Sequence, residues 1–175
     1  MDTRIKNQTW ILAGAESSGK TSLFSALIPL FPNFNFVSEY NREWLQNRQL
    51  THPFNPGDIT LLFEDSIRYY QKKTFDDNAI LDTDLLNLMI WAESINHPML
   101  SELRSEWNKK ENTVYILCPP NIPYVKDPLR SNEITRQWAW NRHLEWLQNR
   151  KHYILQSDQL NDRIQEVQTI LSQHV

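Results

Sequence analysis

Short apolar runs alternate along this chain with longer stretches in which apolar positions recur every three or four residues. That alternation is the pattern of βαβ units and predicts a mainly parallel sheet. Five strands are expected, over residues 10–13, 35–38, 79–82, 113–118 and 153–156. Between them, Ile59, Leu62, Phe63, Ile67 and Tyr70 keep helical spacing, with Asp58 as the expected cap after Pro56 and Gly57. Leu160, Ile164, Val167 and Leu171 fall on one face of a last helix. Residues 84–103 read as a helix interrupted or bent near Pro98. Residues 121–150 are polar and charged with scattered tryptophans, and read as an excursion from the sheet.

Composition adds exclusions. A chain of 175 residues with 40% hydrophobic content, 7 Trp, 7 Phe and 6 Tyr can bury a core and fits one domain spanning 1–175. A net charge of −3 offers no electrostatic footprint for nucleic acid and nothing polybasic for an anionic membrane. No apolar window approaches the length of a membrane span and the N-terminus lacks a signal-peptide pattern, so a cytoplasmic protein is expected. The lone cysteine, Cys118, excludes an internal disulfide and reads as a buried thiol. The 5 histidines show no metal-ligand spacing.

Glycine is the most telling residue type. Only 3 occur, and two of them, Gly14 and Gly19, lie in one loop. The segment Gly14-Ala-Glu-Ser-Ser-Gly-Lys-Thr21 is G-x-x-x-x-G-K-[ST], placed after an expected strand and before an expected helix. The spacing has a physical reason. A loop that wraps a phosphate with backbone N–H groups excludes Cβ atoms where it turns, and the helix behind it aims its free N–H groups and dipole at the anion. Gly14, Ala15, Glu16, Ser17, Ser18, Gly19, Lys20, Thr21 and Ser22 are therefore the candidate contacts to the phosphates of ATP. Lys20 also serves as a catalytic candidate, and the Thr21 hydroxyl as a ligand to Mg²⁺.

The pattern excludes some P-loop classes. A GTPase needs N-K-x-D after a strand, whereas Asn108-Lys-Lys-Glu111 ends in Glu and precedes a strand. Phe54 stands where a switch Asp would pair with Gly57. A small-molecule kinase, with a phosphate loop, metal ligands, an acceptor pocket and a lid, fits the remaining features. The fold expected is an α/β, P-loop kinase-like, three-layer architecture with a mainly parallel five-stranded sheet and a helical lid over 121–150.

Further candidates follow from strand ends. Asp82 closes an apolar strand, as an acid that holds Mg²⁺ or its water does. Asp84 either faces the same site or caps the next helix. Glu39 ends the second strand, at the sheet edge where open α/β folds bind ligands, and is the candidate to accept or fix a substrate hydroxyl proton. A solvated acid at a helix N-terminus is its other reading. Arg42 can neutralise phosphate, orient Glu39 or form a surface ion pair. Arg130 and Arg136 are candidates for charge stabilisation from a lid, or belong to a solvated helix.

These residues resemble a known family, the nicotinamide riboside kinase domain of bacterial NadR-type proteins and their stand-alone relatives. The resemblance covers most of the chain. It rests on the glycine loop, on Ser38-Glu-Tyr-Asn-Arg-Glu43, on Leu81-Asp-Thr-Asp-Leu-Leu86 with Trp91 and Glu93, and on residues 119–130 from Pro119-Pro-Asn-Ile-Pro to Asp127-Pro-Leu-Arg130. It implies transfer of the ATP γ-phosphate to the 5′-hydroxyl of nicotinamide riboside, a small-molecule nucleoside partner, and ATP with Mg²⁺ as cofactors. It implies that Tyr124 and Asp127 line the acceptor pocket, with Tyr124 stacking on the pyridinium ring, and that Arg130 and Arg136 are lid arginines; Glu39, Tyr40, Arg42, Asp84 and Trp91 are the further substrate candidates. It also implies a kinase alone, without the adenylyltransferase or DNA-binding parts of multidomain members. Two positions depart from the family: Tyr124 replaces its usual Trp, and Pro128 its usual Gly. Kinases for other nucleosides or small metabolites, and a regulatory module that binds nucleotide without an acceptor, are the competing expectations. Nothing in the pattern specifies an oligomeric state.

Overall fold

The structure is a computed structural model that describes residues 8–75, 77–110, 112–127, 129 and 134–174. Among the described residues five parallel strands form one sheet in the order β2-β3-β1-β4-β5. They are β1 (Thr9–Ala13), β2 (Asn35–Val37), β3 (Ala79–Asp82), β4 (Thr113–Leu117) and β5 (His152–Ile154). The helices between them are α1 (Lys20–Leu27), α2 (Tyr40–Asn47), α3 (Pro56–Gln71), α4 (Leu85–Ser94), α5 (Leu100–Asn108), α6 (Ile134–Leu147) and α7 (Leu160–Ser172). The three-layer α/β expectation and the five-stranded parallel sheet both hold.

The layers follow from the alternation of side chains along each strand. Trp10, Leu12, Ile80, Val114 and Ile116 point to one face, where Leu23, Phe24 and Leu27 of α1 and Val167 and Leu171 of α7 cover them. Ile11, Ala13, Ala79, Leu81, Tyr115 and Leu117 point to the other, under Trp44, Leu62, Phe63, Leu86, Met89, Leu103 and Leu147. Strands buried on both faces have no polar side to show, which is why they read as continuous apolar runs.

Local chemistry moved several boundaries. The cap of α3 is Asn55, whose side chain accepts from the Asp58 N–H, so the helix starts at Pro56 rather than after Asp58. Proline at a first helical position costs no hydrogen bond, since that N–H has no partner inside the helix. The expected 84–103 helix is two helices, α4 and α5, packed together and separated at 95–99 around Pro98. Residues 134–147 are a full helix, α6, which packs on α4. Leu147 of α6 is fully buried, and Arg142 grips Glu93 of α4 through two bonds of 2.9 and 2.6 Å. That half of the polar segment is thus part of the molecule's wall and not an excursion from it. Cys118 is buried as expected, and burial pushes its thiol up to about 11.

Asp84 is a helix cap. Its Oδ1 accepts from the Leu86 N–H at 3.0 Å and its Oδ2 from the Tyr115 hydroxyl at 2.6 Å, while Trp107 Nε1 donates to that hydroxyl at 2.6 Å. Burial raises the Asp84 pKa above the usual carboxylate value of 3.8, and the bonds from Tyr115 and Leu86 oppose the rise. A raised native pKa means that Asp84 contributes stability below its unfolded pKa and loses it as pH rises through the native one. Tyr115→Phe removes a donor to the carboxylate and leaves Trp107 Nε1 without its acceptor, so it is expected to cost about 1–3 kcal/mol in urea unfolding. The cost should be larger at pH 7 than below pH 3.8, because the lost bond favours the charged carboxylate; a cost independent of pH would contradict the assignment.

Candidate functional site

The loop after β1 turns back on itself through three residues of positive φ: Gly14 at 142°, Ser17 at 53° and Gly19 at 82°. A Cβ on Gly14 would lie 2.4 Å from the Cys118 carbonyl oxygen, which is backbone and cannot give way. Glycine is therefore required where the loop leaves β1 and crosses the end of β4. Left-handed residues placed in this way turn successive N–H groups into one concavity, a nest that suits an anion. α1 begins at Lys20, so its N-terminus faces the same concavity.

Turning N–H groups inward turns carbonyls outward, and each carbonyl from 14 to 19 has a donor. Lys20 Nζ, buried, donates to the Gly14 and Ala15 oxygens at 2.9 and 2.8 Å. Arg136 of α6 donates to the Glu16 and Ser17 oxygens at 3.1 and 2.9 Å, and to Ile122 at 2.8 Å. Arg163 of α7, fully buried, donates to the Ser18 oxygen at 2.5 Å. Gly19 receives the Leu23 N–H at 3.0 Å.

Arg163 reaches further, to Pro119 O at 3.1 Å, Asn121 Oδ1 at 2.5 Å and Ser157 O at 2.7 Å. It joins the glycine loop to the segment after β4 and to the loop after β5. That last loop spans 156–159. Glu166 pins it by accepting from the Gln156 and Ser157 N–H groups at 2.7 and 2.9 Å.

The Thr21 hydroxyl donates to Asp82 Oδ2 at 2.8 Å, bringing the two expected metal ligands together beneath the loop. Asp82 is buried. Two hard oxygens side by side fit Mg²⁺, which takes few protein ligands and fills its shell with phosphate and water. Among the described residues no group of three or more His, Cys, Asp or Glu is gathered to cage a metal on its own. Asp82 and Asp84, two apart, would share a face if the strand ran on. Thr83, a β-branched residue at φ 71°, breaks the strand between them, and Asp84 turns away to its cap.

Two depressions flank the loop. An open groove of about 840 Å³ runs over Ser17–Ser22 and is walled by Ile122, Tyr124 and Lys126 on one side and Gln46 and Gln49 on the other. A more enclosed cavity of about 150 Å³ opens past Gly14–Glu16 and is lined by Phe54, Trp91, Trp138, Asn87 and His143. Glu16, Arg42 and Leu129 border both. At this rim Arg42 binds Asp127 at 2.5 Å and lies 3.6 Å from Glu39, which lines the cavity.

The candidates are placed as follows. Glu39, Arg42 and Trp91 line the cavity, and Trp91 meets Phe54 and Phe63 edge-on at 5.8 and 5.3 Å. Tyr124 and Asp127 line the groove over the glycine loop and not the cavity; the Tyr124 ring lies 6.0 Å from the Arg136 guanidinium. Tyr40 is not in the site. It stacks on Tyr69 at 4.1 Å between α2 and α3, because the helix starting there turns its side chain away from Glu39 and Arg42. Asp84 is also outside, as the cap of α4. Arg136 is buried against loop carbonyls and does not project from a mobile segment. Arg130 and Pro128 lie outside the described residues.

Sequence reasoning missed Arg163, Asn87 and His143. A basic residue beside Ile164 on an apolar stripe was the only sign of Arg163. Asn87 lies in an apolar helical pattern and His143 in a polar segment, and in neither does a single polar residue carry a spacing signal.

A strand, a glycine loop closed on its own lysine, and a helix N-terminus with a Thr–Asp pair beneath it define a P-loop nucleotide-binding domain. A family model described as an AAA domain (AAA_28) matches residues 9–163, and the chain belongs to that family. The fold is shared with solved P-loop proteins. A NadR protein in complex with NR superposes with a TM-score of 0.73 at 16% identity, over 96% of this chain and 50% of that one. A NadR protein in complex with NAD and AMP-PNP gives 0.71 at 16% identity, over 95% and 49%. This chain thus spans about half the length of those NadR chains. Thymidylate kinase from Ehrlichia chaffeensis gives 0.68 at 10% identity, over 94% of this chain and 98% of that one. No curated protein matches the sequence significantly. Among the described residues no helix is long and apolar enough to cross a membrane.

The carbonyl contacts give a direct expectation. Arg163→Met keeps the buried stem but removes the donors to Ser18, Pro119, Asn121 and Ser157. It should weaken ATP binding at least about 10-fold by calorimetry, since buried acceptors without partners cost about 1–3 kcal/mol each. Unchanged affinity in a folded Arg163→Met protein would show that the loop does not depend on this clamp.

Proposed function

We propose that this chain is an ATP- and Mg²⁺-dependent kinase that phosphorylates the 5′-hydroxyl of nicotinamide riboside, giving nicotinamide mononucleotide. The observation that carries the reading is the two-sided loop. The phosphate-binding concavity opens on one side to a polar groove and on the other to an aromatic cavity, with Glu39 and Arg42 at the shared rim.

In this reading the loop N–H groups and Lys20 hold the ATP β- and γ-phosphates along the groove. Thr21 and Asp82 hold Mg²⁺, which when bound neutralises charge on the β- and γ-phosphate oxygens. The cavity receives the nucleoside. Trp91, Phe54 and Trp138 offer aromatic faces and edges, and faces of this kind attract a cationic pyridinium ring. Glu39 accepts the proton of the 5′-hydroxyl as its oxygen bonds to the γ-phosphorus and the bond to the β-phosphate bridging oxygen breaks, releasing ADP. Arg42, held by Asp127 and Glu39, keeps the Glu39 carboxylate at the rim.

The thymidylate kinase likeness suggests a second acceptor class, nucleoside monophosphates. The cavity disfavours it. Among the described lining residues Arg42 is the one Arg or Lys, and it is already engaged by two carboxylates, whereas Glu16 and Glu39 add negative charge. A cationic or neutral nucleoside suits that balance better than an anionic nucleotide.

The test is phosphoryl transfer from ATP to nicotinamide riboside against a panel containing thymidine, uridine, cytidine and dTMP. Nicotinamide riboside should have the highest kcat/KM; faster turnover of dTMP or another nucleoside would give the acceptor to that compound. Lys20→Ala should lower kcat/KM by about 10²–10³-fold. Glu39→Gln should lower kcat by about 10²–10⁴-fold while ATP affinity stays unchanged. ATP binding without transfer to any acceptor would instead make the domain a nucleotide-binding module.

A further inference from the structure

The segment after β4 runs along the groove and is pinned there at short intervals. Arg136 donates to the Ile122 carbonyl oxygen at 2.8 Å, the Val125 N–H donates to the Ser17 hydroxyl at 2.8 Å, and Asp127 accepts from Arg42 at 2.5 Å. Lys126 stands between the last two anchors, so its backbone is held beside the glycine loop. It is exposed and lines the groove together with residues 17–22. Among the described lining residues the cations are Lys20, Arg42 and Lys126, and the acids are Glu16 and Asp127. Two of those three cations already hold protein oxygens. Lys20 holds the carbonyls of Gly14 and Ala15, and Arg42 lies against the carboxylates of Asp127 and Glu39. Arg136, expected as a lid cation, is buried on the carbonyls of Glu16 and Ser17. Lys126 makes no hydrogen bond or ion pair with any described residue. Its ammonium brings three N–H donors to the wall of a groove that is read as holding a polyanion.

Building on the kinase reading of the loop, we propose that Lys126 is a further catalytic residue, the cation that meets the γ-phosphate of ATP from the wall of the groove. Its neighbour in the chain fixes which phosphate it serves. Asp127 reaches Arg42 at the rim shared by groove and cavity, so Lys126 lies toward the end of the triphosphate that is transferred. The acceptor oxygen bonds to the γ-phosphorus as the bond to the β–γ bridging oxygen breaks, and that oxygen leaves with ADP. Lys126 donates N–H bonds to the γ-phosphoryl oxygens throughout and gives up no proton; it acts as a fixed positive charge where negative charge is spread. Adjacent residues thus serve the two reactants, with Lys126 on the phosphoryl group and Asp127 on the guanidinium beside Glu39.

The experiment compares wild-type, Lys126→Met and Lys126→Arg proteins, which should share one unfolding midpoint because the side chain is exposed. Calorimetry with a non-hydrolysable ATP analogue and with ADP, each with Mg²⁺, reads the γ-phosphate contact without an acceptor. Lys126→Met should weaken the analogue about 10-fold, the order of one charge-assisted hydrogen bond, and leave ADP within about 2-fold. Lys126→Arg keeps the charge and should restore most of the difference. In phosphoryl transfer to nicotinamide riboside, Lys126→Met should lower kcat by about 10- to 100-fold, with KM for the riboside unchanged. Analogue and ADP weakened equally, or neither weakened, would overturn the inference and leave the kinase reading intact. Selective loss of the analogue in Lys126→Met, with no riboside turned over by the wild-type protein, would uphold the γ-phosphate contact and overturn the kinase reading.

Discussion

A loop that turns its amide N–H groups toward an anion must turn its carbonyls away from it, into protein that cannot leave them unpaired. In this chain that constraint governs more of the structure than the anion site itself. Lys20 satisfies the first two carbonyls from inside the loop. The next three need donors from elsewhere, and Arg136 and Arg163 provide them from helices far along the chain. The same two guanidiniums bind Ile122, Pro119 and Asn121, so the segment after β4 is held beside the loop by the bonds that complete it. The polar stretch after β4 and the last helix are therefore parts of the phosphate site's frame.

The sheet order places this frame where it can serve two depressions. With β1 in the middle of the sheet and β3 beside it, the loop after β1 sits next to Asp82, and Thr21 reaches that acid directly. α6 is fixed to α4 by Arg142 and Glu93, which makes it a wall of the cavity while its first turn delivers Arg136 to the loop. Cavity and groove meet at Arg42, whose two carboxylate partners come from the N-cap of α2 and from the segment after β4. A group passing from groove to cavity crosses that rim, which is where a transferring phosphoryl group and an acceptor hydroxyl would meet.

Much of this was legible in the sequence because it depends on local rules. Buried parallel strands read as apolar runs, and the glycine loop announces itself by residues that no other backbone conformation requires. Asp82 stands at the end of β3, as its apolar run implies, whereas Glu39 lies two residues past β2, as the N-cap of α2. Tyr40 shows where that reasoning stopped. It lies next to Glu39 in sequence, but one step into a helix rotates the side chain toward Tyr69. For Asp84 the sequence allows two roles, and the positive φ of Thr83 turns it to the cap of α4. Arg163 and the Asn87–His143 pair were invisible for a different reason. Their meaning lies in partners 145 and 56 residues away, and no periodicity carries that information. The helix α6 was read as an excursion because its surface is polar, although its buried side holds Leu147 and His143.

In the proposed function one loop, held by Lys20, Arg136 and Arg163, divides a nucleotide groove from an acceptor cavity. A crystal structure with a non-hydrolysable ATP analogue, Mg²⁺ and nicotinamide riboside tests it most directly. The triphosphate should lie wrapped by Gly14–Thr21, with the riboside in the cavity beside Trp91 and its 5′-hydroxyl within hydrogen-bonding distance of Glu39. A riboside lodged in the groove against Tyr124, with the cavity closed to it, would contradict the proposed function.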